Sequence, residues 1–560
     1  SKYGAEQRAY SVYAGDTWKL SPKLTINYGL RWDRFSPTFE TSNRLAFFSF
    51  APNPGAGNLP GSVEYAGNGW GPASAGVPYP ETPFNGGFGP RVGFAYQLDT
   101  NTVIRAGYGV FYTQAFYPGW GGGMNLDGFN PKISFGDSLS GYEPAFYIDN
   151  GYPAYTTAPN ISRAADNGTS GPQYRPPYAN HLSYTQQWNF TIERKFGNSS
   201  IGSLAYVANK GTHLPSQLQP LNYLNPSLLS SMGSAELNSI FQPGQTSLYG
   251  VNVPYANWVQ TLNSVGNCKP TVAQALVAYP QYCGGLIGLN ENEGTSEYNS
   301  FQAKLERAFS NGLYLGANYT FAKLLTDASS TTQATAGYGA IGGVINPYQG
   351  DRNKSLSPDD ITHTFSLLGT YDLPFGVGKR WLSNSGFLNQ LVGNWILASS
   401  IKLVSGMPLY FRDSTVCGVP NQFQAQCIPG ILPGASVLTQ SWSGFNVNQP
   451  AFNVSAFEPS SLFANGNYLG VGPRVSGVRG SPYRDVNLSL SKKFSIKERL
   501  TLEIRAEAFN VFNNHYFTCD GQAFGDCIPF NNDPSNSSFG AWNGTVTQPR
   551  NVQLVGRITF

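Results

Sequence analysis

The chain has 560 residues, 14% of them aromatic and only 12% charged, with a net charge of +3 at pH 7. Ordinary soluble domains are roughly a quarter charged, so something other than water covers much of this surface. So small a net charge, with no basic run interleaved with aromatics, argues against nucleic acid as a partner. No stretch approaches the ~18 to 20 uninterrupted apolar residues of a membrane-spanning helix.

Along the chain the dominant signal has period two. From Leu24 to Asp33 the even positions (Leu24, Ile26, Tyr28, Leu30, Trp32) are apolar or aromatic and the odd ones polar or glycine. Successive side chains of a strand point to opposite faces, so one face is greasy and the other wet. The pattern returns at Leu313, Leu315, Ala317, Tyr319 and Phe321, and again at Leu500, Leu502, Ile504, Ala506 and Ala508, opposite Glu503, Arg505 and Glu507. Three charges on one strand face are costly in a dry core but at home on a wet lumen wall. Taken in order, about thirteen strands are expected, near residues 8–19, 23–34, 88–98, 102–115, 182–196, 200–210, 297–309, 312–324, 361–373, 393–411, 482–495, 499–513 and 549–560.

The connections alternate in length. Short turns fall at Ser21-Pro22, Asp99-Thr100-Asn101, Gly197-Asn198-Ser199, Ser310-Asn311-Gly312 and Ile496-Lys497-Glu498, with a mid-length turn at 374–392. Long ones fall at 35–87, 116–181, 211–296, 325–360, 412–481 and 514–548. Compact soluble domains seldom carry several loops beyond ~15 residues, whereas outer-membrane barrels join short periplasmic turns to long extracellular loops. The expected fold is therefore all-β: an antiparallel transmembrane β-barrel over 1–560, multi-pass in a bacterial outer membrane, with lipid as its first partner. All six cysteines lie in the long loops as local pairs, Cys268 with Cys283, Cys417 with Cys427 and Cys519 with Cys527. None has zinc-site spacing, and short-range pairs in polar loops fit disulfides in an oxidising compartment. No secretory leader is readable at Ser1, as in a mature protein or a piece of one. Counting strands back from a periplasmic C-terminus makes the first and last strands parallel. An all-antiparallel barrel needs an even number, so upstream strands are expected outside this chain.

The last strand, Asn551 to Phe560, turns Val552, Leu554, Ile558 and Phe560 to one side, and the terminal Phe560 resembles the signal that barrels present to their assembly machinery. Several further segments resemble the barrel of Oar-like TonB-dependent transporters, the acidobacterial-looking type with a carboxypeptidase-regulatory-like domain. They are Tyr28 to Asp33, Tyr298 to Arg307, Tyr314 to Phe321, Tyr371 to Gly376 with Gly378-Lys379-Arg380, and Arg505 to Asn513. The resemblance runs from about residue 8 to Phe560 in strands and turns. It implies a barrel of about twenty-two strands with a plugged lumen, of which this chain is the C-terminal part. It also implies a plug from the same precursor, a TonB-type energy-coupling protein as partner, and active uptake of a large or scarce extracellular ligand. No plug, regulatory-like domain or TonB box is present in the chain.

No catalytic constellation, cofactor motif or metal-ligand set is readable, so an enzyme is not expected. His181, His213, His363 and His515 are scattered, and His363 suits a structural or surface role. Gly376 to Arg380 lacks the spacing of a phosphate loop, and Asp520 and Asp526 lack a calcium pattern. Two groups remain as candidates. The charges Arg31, Arg105, Glu193, Lys304, Glu306, Glu503, Arg505 and Glu507 are expected on the wet face, gripping a plug or lining a passage, or else pairing with one another. The loop aromatics Trp70, Tyr117, Trp120, Tyr255, Trp258 and Trp442 suit stacking on a ligand, or else packing of the loops or the membrane interface. Rival readings are a structural or surface-interaction barrel without transport, and a soluble β-rich glycan-binding protein or hydrolase.

Overall fold

The computed structural model describes every residue except 1–3, 114–124, 130–143, 155–159, 217–220, 226, 287, 290, 329–346, 383–385, 412–427, 460–472, 498–499 and 519–528. Thirteen strands form one wall in chain order. They are β1 (Ala9–Ser21), β2 (Leu24–Phe35), β3 (Gly87–Gln97), β4 (Thr102–Tyr112), β5 (Tyr184–Phe196), β6 (Ser200–Ser216) and β7 (Glu291–Ser310), then β8 (Leu313–Thr326), β9 (His363–Asp372), β10 (Trp395–Val404), β11 (Tyr483–Lys497), β12 (Leu500–Phe509) and β13 (Asn551–Thr559). A two-residue strand, Ser355–Leu356, adds to the end of β8. Each strand pairs antiparallel with the next, so β1 and β13 run the same way and pair on one side only.

Register carries the alternation across the wall. Ile26 pairs with Trp18 and Phe94, Ile104 with Tyr96 and Ile192, and Phe301 with Tyr206 and Phe321. A one-residue slip at any pairing would exchange the faces, and none occurs through the body of the wall. The thirteen expected strands are all present, and the differences lie at their ends. β6 continues past 210 through two bulges, between Gly211 and Leu214 and between Leu214 and Ser216, which keep the strand paired while bending it. β10 stops at Val404, short of 411. There Gly406 crosses Gly480 so closely that a Cβ would lie 1.9 Å from Gly480 O, and Pro408 has no N–H for a ladder. β12 ends at Phe509 because Asn510 (φ 49°) takes the left-handed conformation, its N–H donating to Asn487 Oδ1.

Six long loops, L1 (36–86), L2 (113–183), L3 (217–290), L4 (327–362), L5 (405–482) and L6 (510–550), leave one end of the wall. The buried hydrophobic clusters lie mostly here rather than in the wall. One joins L3 residues Leu237, Phe241, Trp258 and Leu262 to Ala56 of L1 and Ile428 of L5. Another joins Phe411, Phe452 and Phe457 of L5 to Phe530 and Phe539 of L6. A third brings Phe48 of L1 against Tyr174 of L2 and Tyr279 and Tyr282 of L3. The wall is one sheet thick, with no second layer packed along it among the described residues, so the dry packing lies in the loops.

Candidate functional site

The wet face of the wall holds all eight charged candidates. They fall into four groups: Arg31 Nε sits 2.8 Å from Asp33 Oδ2, Arg105 3.2 Å from Glu193, Lys304 2.6 Å from Glu306, and Arg505 lies between Glu503 (3.2 Å) and Glu507 (3.0 Å). Asp33 and Gln553 were not singled out by sequence. Asp33 also accepts from Ser11 Oγ at 2.6 Å, and Gln553 Nε2 donates to Glu507. Asp33 stands two residues from Arg31 on one strand, while register, invisible in the sequence, sets Ser11 opposite Asp33 and Gln553 opposite Glu507. The half-exposed pairs Arg105–Glu193 and Lys304–Glu306 contribute little to stability and can exchange partners at low cost, whereas Asp33 is buried against Arg31.

Beside Arg31 the same face is paved with glycine. Gly15 pairs with Gly29, Gly93 with Gly107, Arg31 with Gly89, and Arg91 with Gly109. A Cβ at Gly29 would lie 3.0 Å from Ala14 O. Across β1 to β4 the wet face therefore presents bare backbone bordered by two guanidinium groups, which admits a close-packed occupant.

The loop aromatics are placed differently from one another. Trp258 is fully buried, donating Nε1 to Pro280 O at 2.8 Å, and Tyr255 is buried in the same cluster. Trp70 is held by Asn43 O and Ala66 O and rests edge-on against Phe129 at 4.8 Å. Trp442 packs on Phe445 and Phe530, and its Nε1 donates to Arg479 O. Tyr117 and Trp120 lie outside the described residues, as do Cys417, Cys427, Cys519, Cys527, Asp520 and Asp526. Cys268 and Cys283 are joined, with Cα atoms 5.6 Å apart. Phe560 lies beyond the end of β13 and is almost wholly exposed.

One buried carboxyl within L2, unremarked in the sequence, titrates far from its usual range. Asp166 faces Asp127, to which Asn125 Nδ2 donates, and Asp166 Oδ2 is buried with no hydrogen-bond partner among the described residues. Burial first, then the Asp127 charge, pushes the Asp166 carboxyl up to about 8. The folded loops thus hold a proton that the unfolded chain releases near ~3.9. This contribution to stability is full below ~4 and is lost as pH rises through about 8. Asp166→Asn is expected to flatten that dependence: protease resistance around 160–168 should stay level between about pH 5 and about pH 9, where the parent weakens. An equal decline in both proteins would refute the assignment.

The family model described as outer membrane beta barrel domain matches residues 1–553, and the chain belongs to that family. It is an outer-membrane β-barrel chain, with its apolar face toward lipid. No curated protein matches the sequence. Among solved structures it is similar to the pyoverdine receptor FpvA of Pseudomonas aeruginosa (TM-score 0.38, 10% identity, 98% of this chain and 38% of that one). It is likewise similar to the ferric-catecholate import receptor Fiu of E. coli K12 (0.37, 10%, 100% and 45%) and to the ferric preacinetobactin receptor BauA of Acinetobacter baumannii (0.38, 9%, 100% and 44%). The chain spans less than half the length of these receptors.

Proposed function

We propose that this chain supplies part of the wall and the extracellular cap of a TonB-dependent importer for a large or scarce ligand. The observation that carries the reading is the glycine-paved, charge-bordered patch on the wet face of β1 to β4. A water-filled pore has no use for bare backbone, whereas a plug packed against the wall does. In this reading Arg31, Arg105, Glu193, Lys304, Glu306, Glu503, Arg505 and Glu507 exchange their mutual pairs for contacts with the plug. The free edges of β1 and β13 are completed by further strands of the same precursor, toward about twenty-two, and Phe560 is read by the assembly machinery. Ligand capture falls to the loop cap, with Trp70 and Trp442 the least buried of the aromatic candidates among the described residues. The Oar-like subtype remains part of the proposal.

The test uses the full-length precursor product in detergent and the periplasmic domain of the host's TonB-type protein. Saturable binding that a peptide copy of the precursor's coupling segment competes away is expected. No binding would sink active import and leave the second reading, a surface-interaction barrel, which the interlocked loops also suit.

A further inference from the structure

A crevice of ≈ 870 Å³ opens between the wall and L5. Its floor is a single row of side chains across four strands: Tyr319 of β8 pairs with Phe365 of β9, Phe365 with Leu403 of β10, and Leu403 with Arg484 of β11. All four project from the apolar, membrane-facing side. The roof is Val437, Leu438 and Trp442 of L5, anchored by the phenylalanine cluster that L5 shares with L6. The crevice therefore lies outside the barrel, at the loop end of the wall.

Its charge is one-sided. Arg479 is engaged: Nη2 lies 2.5 Å from Asp360 Oδ2, and Nη1 donates to Asp360 O. Asp485 projects to the wet face and accepts from Asn487. His363, at the mouth, has Nδ1 2.9 Å from Tyr319 Oη. Arg484 is exposed and makes no ion pair or hydrogen bond among the described residues. A guanidinium without a counter-ion over an apolar trough, on the face that lipid covers, matches an amphiphile with an anionic head. Guanidinium forks suit phosphate oxygens, and the trough suits an acyl chain.

We infer that this crevice seats one acylated, phosphate-bearing lipid of the loop-side leaflet, its phosphate on Arg484 and an acyl chain along Phe365 and Leu403 beneath L5. The test measures lipid adducts on the full-length detergent-purified protein by native mass spectrometry. The probes are phosphatidylglycerol, phosphatidylcholine with the same chains, and the chain-free headgroup glycerol 1-phosphate. Phosphatidylglycerol is expected to bind best, and Arg484→Gln to weaken it about tenfold, the size of one charge-assisted contact, with phosphatidylcholine, whose phosphate charge is offset by its own ammonium, weakened less. Leu438→Trp, which fills the trough, should weaken both lipids. Heat-modifiable gel migration establishes that each variant is folded. The inference is overturned if Arg484→Gln leaves phosphatidylglycerol binding intact, or if Leu438→Trp has no effect. Glycerol 1-phosphate binding as tightly as the lipid would likewise overturn it, as the mark of a simple anion site.

Discussion

Arg175→Ala is expected to release L2 from L1 while the strands of the wall stay paired. Arg175 Nε donates to Glu81 at 2.6 Å, and Nη2 donates to Thr38 O at 2.8 Å. Both side chains of the ion pair are fully buried. Truncating one member of such a pair leaves the other charge uncompensated, at a cost of ~3–5 kcal/mol. The loss should appear as faster hydrogen exchange near 36–44, 78–86 and 172–182. The gel shift of the folded barrel should be unchanged. Replacing both residues by methionine should recover much of the loss, since well-packed apolar side chains often substitute for a buried pair without penalty. Unchanged exchange in the alanine variant would show that L1 and L2 are held by something else.

The second large effect concerns L3. The Cys268–Cys283 bond spans a sequence separation of 15, and closing a loop of that size is worth ~3 kcal/mol in chain entropy. The bond acts where packing is dense. Helix Trp258–Val265 ends just before it, burying Trp258, Val259 and Leu262. Cys283 sits in the same cluster, with its backbone N donating to Thr169 O of L2 at 2.7 Å. Changing both cysteines to serine should loosen 256–284, read as hydrogen exchange faster by about two orders of magnitude, with the wall unaffected. Reductant should loosen the parent in the same segment and do nothing more to the double variant. A parent indifferent to reductant would rule out the bond as a contributor.

These two predictions rest on loops, and the loops are where reading the chain as a string reaches least far. The wall was legible because its signal is local. Ile26, Tyr28, Leu30 and Trp32 alternate with Thr25, Asn27, Gly29 and Arg31, and that pattern survives whatever the neighbours are. Strand ends were less legible, since a Gly406–Gly480 crossing or a left-handed Asn510 depends on a partner strand far along the chain. The charged candidates share one face of the wall. Three of their four groups join residues two apart on one strand, which alternation alone places side by side, and only Arg105–Glu193 needed register, β4 lying against β5. The aromatics divided by burial, from Trp258 with no exposed surface to Trp442 at the edge of a crevice.

The sequence by itself determined that the chain is a wall of alternating strands joined by short turns at one end and long loops at the other, because face alternation and turn chemistry act over a few residues. Only the tertiary structure decided which loops meet. Arg175 reaches Glu81 across 94 positions and Arg479 reaches Asp360 across 119. Such contacts follow from where the wall carries each loop and leave no periodic trace in the chain. The same holds for the row from Tyr319 to Arg484, whose four members become neighbours only when the strands pair.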